Sequence, residues 1–203
     1  MILKVVVLLS GGLDSTVALA FALDRGHDVV AVSFDYGQTH VKELEAAERI
    51  AVGHFGVPHQ IIDIKGLLVG ASALTGALQI PDTHATDIDA TYVPGRNLVM
   101  VSIGAALAEA VGAGAVVIGA NADDDAGYKD CRPKFIDALD IAVREGTLNG
   151  VSVWAPFLRM TKKDIVAMGW LVGAPMGYSW SCYRGGETPC LNCGACESRE
   201  DAF

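Results

Sequence analysis

Residues 4–26 read KVVVLLSGGLDSTVALAFALDRG. The first six form a continuous, β-branched apolar run, the pattern of a strand buried on both faces. A glycine turn follows. From Asp14 the apolar residues take a helical period that closes at Gly26. A buried strand, a glycine turn and a helix in that order predict a parallel α/β sheet rather than an antiparallel one.

The pattern repeats outward from this stretch. HDVVAVSFDYG (27–37) predicts a second buried strand, VKELEAAERIAVGHFG (41–56) an amphipathic helix ending at Gly56, and PHQIIDIK (58–65) a third strand. Residues 67–95 mix apolar and turn-forming types and read as a loop-rich insertion with short helices. RNLVMVSIGAALAEAVGAG (96–114) predicts a helix and AVVIGAN (115–121) a fourth strand. An acidic loop, ADDDAGYKDCR, precedes a helix opened by Pro133 at its first turn. VSVWAPF (151–157) predicts the fifth strand, and a last helix follows with Thr161 as its N-cap. Alternating strands and helices imply parallel strands with crossover helices. The expected fold is α/β: a five-stranded parallel, doubly wound sheet within one domain, 1–203, that includes a cysteine-rich knuckle at 180–203.

The chain has 203 residues, 51% of them apolar, and a net charge of −9. The length fits one domain with a substantial core. The charge disfavours a broad nucleic-acid-binding face. The apolar start is too short to span a membrane and runs into a turn instead of a cleavage site. A cytoplasmic protein with reduced thiols is the expectation, which weakens a disulfide reading of the cysteines.

Ligands of such sheets bind beyond the C-terminal strand ends. Three features fall there. In LSGGLDST (9–16), two glycines admit a close ligand, Ser10, Ser15 and Thr16 offer hydroxyls, and the helix start favours a phosphate. It lacks the Gly-Lys-Ser/Thr ending of a Walker loop. The second feature, FDYGQTH (34–40), places Asp35, Tyr36 and Gln38 beside that turn, where a solvated aspartate is an equal reading. The third is the pair YVPGRN and GYKDCRPKF. Arg96 at a helix start gains nothing from the local dipole, so an anionic ligand explains it better. Asp130 and Arg132 read either as a surface ion pair or as an acid and a base aimed into a cleft. Cys131 reads as a neutral thiol in or near the cleft.

Cys182, Cys190, Cys193 and Cys196 are separated by seven, two and two residues. Two-residue gaps turn neighbouring thiolates toward one metal, and four thiolates suit tetrahedral zinc. An iron–sulfur cluster is the main rival.

The LSGGLDST turn resembles the pyrophosphate loop of the ATP-pyrophosphatases, whose members cleave ATP between the α- and β-phosphates and adenylate a substrate oxygen. That resemblance implies a Rossmann-like sheet of the adenine nucleotide alpha hydrolase type. It also implies that Ser10, Gly11, Gly12, Asp14 and Ser15 hold the pyrophosphate, with Mg2+ beside Asp14. The fuller nucleotide set it implies adds Leu9, Leu13, Thr16, Phe34, Asp35, Tyr36 and Gln38. Taken with FDYGQTHVKELEAAERIA, YVPGRNLVMVSIG, GYKDCRPKF, WAPFLRMTKKDIV and the tail SWSCYRGGETPCLNCGACESREDAF, the chain resembles the 7-cyano-7-deazaguanine synthase family over nearly its whole length. The resemblance implies a ligase that converts 7-carboxy-7-deazaguanine, ammonia and ATP to the nitrile. Asp14, Arg96, Asp130 and Arg132 would then be catalytic. It further implies a structural Zn2+ on the four cysteines, a homodimer, and no nucleic-acid or membrane partner. With no glutaminase segment in the sequence, free ammonia is expected. The small-residue helix 96–112 is the expected dimer contact, and the aspartates 123–125 depart from the family pattern. Two other readings stay open: an enzyme of the same fold that stops at the amide or uses another amine, and a non-catalytic nucleotide sensor.

Overall fold

The computed structural model describes residues 3–39, 41–68, 72–76, 80, 88–125 and 127–203. Much of the expected loop-rich insertion, and His40 of the FDYGQTH feature, therefore lie outside the described residues.

Five strands form the sheet: β1 (Lys4–Leu8), β2 (Asp28–Asp35), β3 (His59–Asp63), β4 (Ala115–Val117) and β5 (Ser152–Trp154). All pair in parallel in the order β3-β2-β1-β4-β5. β1 is central, and its Val5 to Leu8 are buried, as a strand covered on both faces requires.

Alternation along β1 divides the core. Val5 and Val7 pack with α1 (Leu13–Asp24), with α2 (Lys42–Glu48) and its π-helical continuation Arg49–Phe55, and with residues that later form α7. Val6 and Leu8 face the opposite layer. After a short α3 (Ile88–Thr91), that layer is built by α4 (Arg96–Ala110) and, beyond the short α5 (Ala122–Asp125), by α6 (Pro133–Gly146). α7 (Lys162–Leu171) then returns to the first layer and contacts α1. A capping box opens α7: Thr161 accepts from the Asp164 amide, and Asp164 accepts from the Thr161 amide. α8 (Gly194–Ala202) ends the chain.

The small residues of α4 have a role within the chain. Gly104, Ala105 and Ala108 are buried within the chain. A Cβ at Gly104 would stand 2.9 Å from Leu8 Cδ2 and 3.2 Å from Val116 Cγ1. The small residues Gly104, Ala105 and Ala108 let α4 lie close on β1 and β4, while Ser102, Ala106 and Ala110 on another face of the helix are exposed.

The strand order locates the functional crevice. From β1 the chain winds outward through β2 and β3, then returns to the other side of β1 for β4 and β5. The direction reverses between β1 and β4, and ligands bind beyond the carboxyl ends of strands at such a point.

Candidate functional site

The segments after β1 and β4 wall a cavity of about 460 Å³. That is within the range of small-molecule sites. From the β1 side come Leu9, Ser10, Gly12, Leu13, Asp14 and Ser15. The turn is held from within. Ser10 Oγ lies 3.0 Å from Ser15 Oγ, and Thr16 Oγ1 donates to the Gly12 carbonyl at 2.7 Å. Gly11 has φ +87°, and a Cβ there would overlap the Glu43 carbonyl of α2. Only glycine permits that approach. Gly11 and the fully buried Thr16 therefore shape the turn from behind and do not line the cavity.

Asp14 is the electrostatic centre. Its Oδ2 is 3.5 Å from Lys162 Nζ and accepts from Asn121 Nδ2 at 3.2 Å. Its Oδ1 is buried with no hydrogen-bond partner among the described residues. Burial pushes the carboxyl up to about 6; Lys162 opposes the shift, and the Asp124 and Asp123 charges add to it. Burial disfavours the Lys162 cation, yet Asp14, Asp124 and Asp123 together raise its pKa. Lys162 thus stays charged among three carboxylates.

The acidic loop has a defined task. The fully buried Asn121 donates to Asp14 and to Asp124 Oδ2, the latter at 2.9 Å, while its Oδ1 accepts from the Asp123 and Asp124 amides. Asp123 Oδ2 accepts from the Lys162 amide at 2.7 Å, tying the loop to the start of α7. Neither Lys162 nor Asn121 was singled out from sequence. The available signal was the lysine just after the Thr161 cap, where a cation is disfavoured by the helix dipole as at Arg96.

At the end of β2, Phe34, Tyr36 and Gln38 line the cavity. Gln38 is fixed by accepting from the Tyr36 amide at 2.9 Å and donating to the Phe34 carbonyl at 3.1 Å. Asp35 faces elsewhere: it pairs with Lys65 at 2.6 Å. Arg96 lines the cavity, its Nη1 donating to Tyr36 Oη at 3.5 Å. Burial works against its charge, but Tyr36, Tyr183 and Asp130 outweigh that and raise its pKa.

Asp130 and Arg132 do not line the cavity. Asp130 is buried, and its Oδ2 accepts from the Asn97 amide at 3.1 Å in the first turn of α4. A carboxylate is favoured there by the helix dipole. Arg132 is exposed and is the N-cap residue of α6. Cys131 lies in the cavity wall, accepting from Asn97 Nδ2 at 3.3 Å. Burial first, then the Asp124 and Asp130 charges, push its thiol up to about 12, so it is neutral.

The four tail cysteines converge, with all Sγ atoms within 4.8 Å of one another and Cys190 Sγ 4.0 Å from Cys196 Sγ. Tetrahedral Zn–S bonds of about 2.3 Å place sulfurs about 3.8 Å apart, so the set fits one zinc ion. An iron–sulfur cluster would spread its thiolates over several irons. The knuckle adjoins the cavity. Trp180, Ser181 and Tyr183 line it, as does Arg199 of α8. The Trp180 amide donates to the Gly11 carbonyl at 2.9 Å, and Trp180 Nε1 donates to the Cys182 carbonyl at 2.8 Å.

Comparison with known proteins agrees with this geometry. The family model described as "Queuosine biosynthesis protein QueC" matches residues 4–203. A protein of Thermoplasma acidophilum named 7-cyano-7-deazaguanine synthase is 42% identical, over 98% of this chain and 87% of its own. One of the same name from Pseudoalteromonas translucida is 41% identical, over 98% and 93%. Among solved structures, an NMN synthetase from Francisella tularensis shares the fold, with a TM-score of 0.55 and 16% identity over 91% of this chain and 68% of that one. With the family model spanning nearly the whole chain and identities above 40% to the curated relatives, the chain belongs to the queuosine biosynthesis protein QueC family, a family of enzymes.

Proposed function

We propose that the chain is an ATP-dependent carbon–nitrogen ligase that makes 7-cyano-7-deazaguanine from 7-carboxy-7-deazaguanine and ammonia. The observation that carries this reading is the Asp14–Lys162 pair set into the LSGGLDST turn at the reversal point of the sheet. A cation among carboxylates beside a glycine turn and a helix start suits a departing pyrophosphate.

A carboxylate does not lose its oxygen to ammonia. In the proposed sequence the carboxylate oxygen attacks the α-phosphorus of ATP and pyrophosphate leaves. Ammonia then attacks the acyl carbon and AMP leaves, giving the amide. The amide oxygen is adenylated by a second ATP, and loss of AMP and the amide protons gives the nitrile. The chain supplies position and charge. Leu9, Ser10, Gly12, Leu13, Asp14 and Ser15 with Lys162 hold the pyrophosphate, Gly11 and Thr16 shape the turn behind them, Phe34, Tyr36 and Gln38 border the nucleotide, and Arg96 meets substrate anion. Asp35, paired with Lys65, sits at the rim. Asp130 holds the start of α4 and so places Arg96, while Arg132 opens α6. Asp14 Oδ1, buried and without a hydrogen-bond partner among the described residues, is a hard oxygen suited to Mg2+, which would supply positive charge to the leaving group. Zinc on Cys182, Cys190, Cys193 and Cys196 leaves no open position and is structural. The net charge of −9 and the free thiols support a cytoplasmic enzyme of small substrates with no nucleic-acid partner. No helix among the described residues is long and apolar enough to cross a membrane. The resemblance supports a homodimer.

Mass spectrometry of a reaction with 7-carboxy-7-deazaguanine, ATP, magnesium and ammonium tests this. The expected result is nitrile accumulating with AMP and vanishing in Asp14→Ala. An accumulating amide would assign the amide-forming activity, and no AMP at all would overturn the enzyme reading for this substrate.

A further inference from the structure

The tail does more than gather thiols. Cys193 is the N-cap of α8 and Cys196 lies in its first turn, so whatever holds the cysteines also sets the direction of the helix. Arg199 follows Cys196 by three residues, which places both on neighbouring parts of one helix face. Its side chain lines the same cavity as Ser10, Gly12 and Asp14.

The guanidinium is held by neutral acceptors. Nη1 donates to Ser179 Oγ at 2.8 Å and Ser181 Oγ at 3.3 Å, and Nη2 donates to the Met176 carbonyl at 2.8 Å. An arginine has five N–H donors; these three hydrogen bonds leave two. Among the described residues no carboxylate forms an ion pair with Arg199. A half-buried cation without a hydrogen-bonded counterion is costly, and Cys196, Glu200 and Asp14 offset that cost only through space. The cavity that Arg199 lines also holds the LSGGLDST turn, and the tail is hydrogen-bonded to that turn through the Trp180 amide and the Gly11 carbonyl. Burial lowers the Arg199 pKa, and Cys196, Glu200 and Asp14 oppose that shift through space.

We infer that Arg199 is a phosphate-binding residue, delivered to the ATP site by the four-cysteine tail, whose anion is the leaving pyrophosphate. This rests on the ATP reading of the turn. A planar fork with free N–H groups matches phosphate oxygens in a way lysine does not. It also gives the knuckle a direct share in catalysis, because the metal site orients the helix that carries the cation.

The test uses full-length, zinc-loaded protein and titration calorimetry with magnesium present. The probes are inorganic pyrophosphate, AMP and 7-carboxy-7-deazaguanine, and zinc content is measured for every variant. Arg199→Gln keeps a hydrogen-bond donor but no charge. It is expected to weaken pyrophosphate binding roughly 10- to 100-fold, with AMP changed less than about twofold. Arg199→Lys keeps the charge without the fork and is expected to weaken pyrophosphate about 3- to 10-fold. Zinc-loaded Arg199→Lys with wild-type pyrophosphate affinity would overturn the inference, even if Arg199→Gln failed to fold. So would a loss confined to 7-carboxy-7-deazaguanine, which would assign Arg199 to the substrate carboxylate. If the wild type bound neither pyrophosphate nor AMP, the ATP reading itself would fall. Wild-type binding that Arg199→Gln leaves intact would sink only the role of Arg199.

Discussion

The Trp180 amide donates to the Gly11 carbonyl at 2.9 Å, joining residues 169 positions apart and stitching the cysteine knuckle to the phosphate turn. The turn therefore has two supports: α2, against which Gly11 is pressed, and the tail. A change in either is expected to reach the cavity.

The first consequence concerns the metal. Stripping the proposed zinc with a chelator would remove the ion that holds Cys182, Cys190, Cys193 and Cys196 together, and metal binding of this kind is folding free energy. Thermal melting with and without chelator is expected to show a lower Tm. ATP titration of the stripped protein is expected to show at least about tenfold weaker binding. Unchanged ATP affinity would mean that the tail is bystander structure.

Gly11→Ala is expected to be severe. The new Cβ would overlap the Glu43 carbonyl, a backbone atom that cannot turn aside, and φ +87° disfavours any side chain. The displaced turn should cost more than about 2 kcal/mol of stability in a denaturant melt and abolish ATP binding. A stable variant with normal ATP affinity would show that the turn yields freely.

Asp14 carries a stability signature with a definite sign. Its carboxyl is raised by burial from 3.8 to about 6 in the folded chain. The folded state therefore binds this proton more tightly than the unfolded state. The contribution favours the fold below about pH 4 and is lost as pH rises through 6. Asp14→Asn removes the burden at neutral pH. It is expected to be more stable than wild type at pH 7, by up to about 3 kcal/mol, with the gap closing toward pH 4, and to be inactive. Urea melts at a series of pH values would reveal a flat difference if Asp14 were in fact well solvated.

Lys162→Met should act oppositely on the same carboxyl. Without its cation, Asp14 faces Asp123 and Asp124 alone, and its pKa should climb above that of the wild type. AMP formation is expected to fall by roughly 10²- to 10³-fold, with the acidic limb of the pH–rate profile moved to higher pH. A loss in rate with an unmoved limb would leave Lys162 to the phosphates and free it from tuning Asp14.

Legibility followed the range of the interactions. The strands, the glycine turn, the Gly26 and Gly56 stops and the Thr161 cap are local patterns, and the structure shows each of them. The cysteine spacing likewise announced a convergent thiolate set. Residues 129–132 were harder. Asp130 and Arg132 are adjacent to a cavity residue in sequence, yet a 3₁₀ turn at Lys129–Cys131 presents only Cys131 to the cavity and sends Asp130 to cap α4. Spacing alone does not report that rotation. The buried small residues of α4 pack on the sheet, and in sequence a close-packing face looks the same whether its partner is a sheet or another chain.

The sequence by itself determined that β1 is a buried parallel strand leading into a phosphate-type turn, because that signal lies in consecutive residues whose preferences agree. Only the tertiary structure decided what stands around the turn. Lys162 meets Asp14 across 148 positions, Asn121 joins the acidic loop to it, and the tail brings Trp180 and Arg199 to the same cavity. Those partners arrive through the reversal of strand order at β1 and β4 and through the turn of a helix set by four cysteines. Both are properties of how separate segments pack, and no window of sequence contains them.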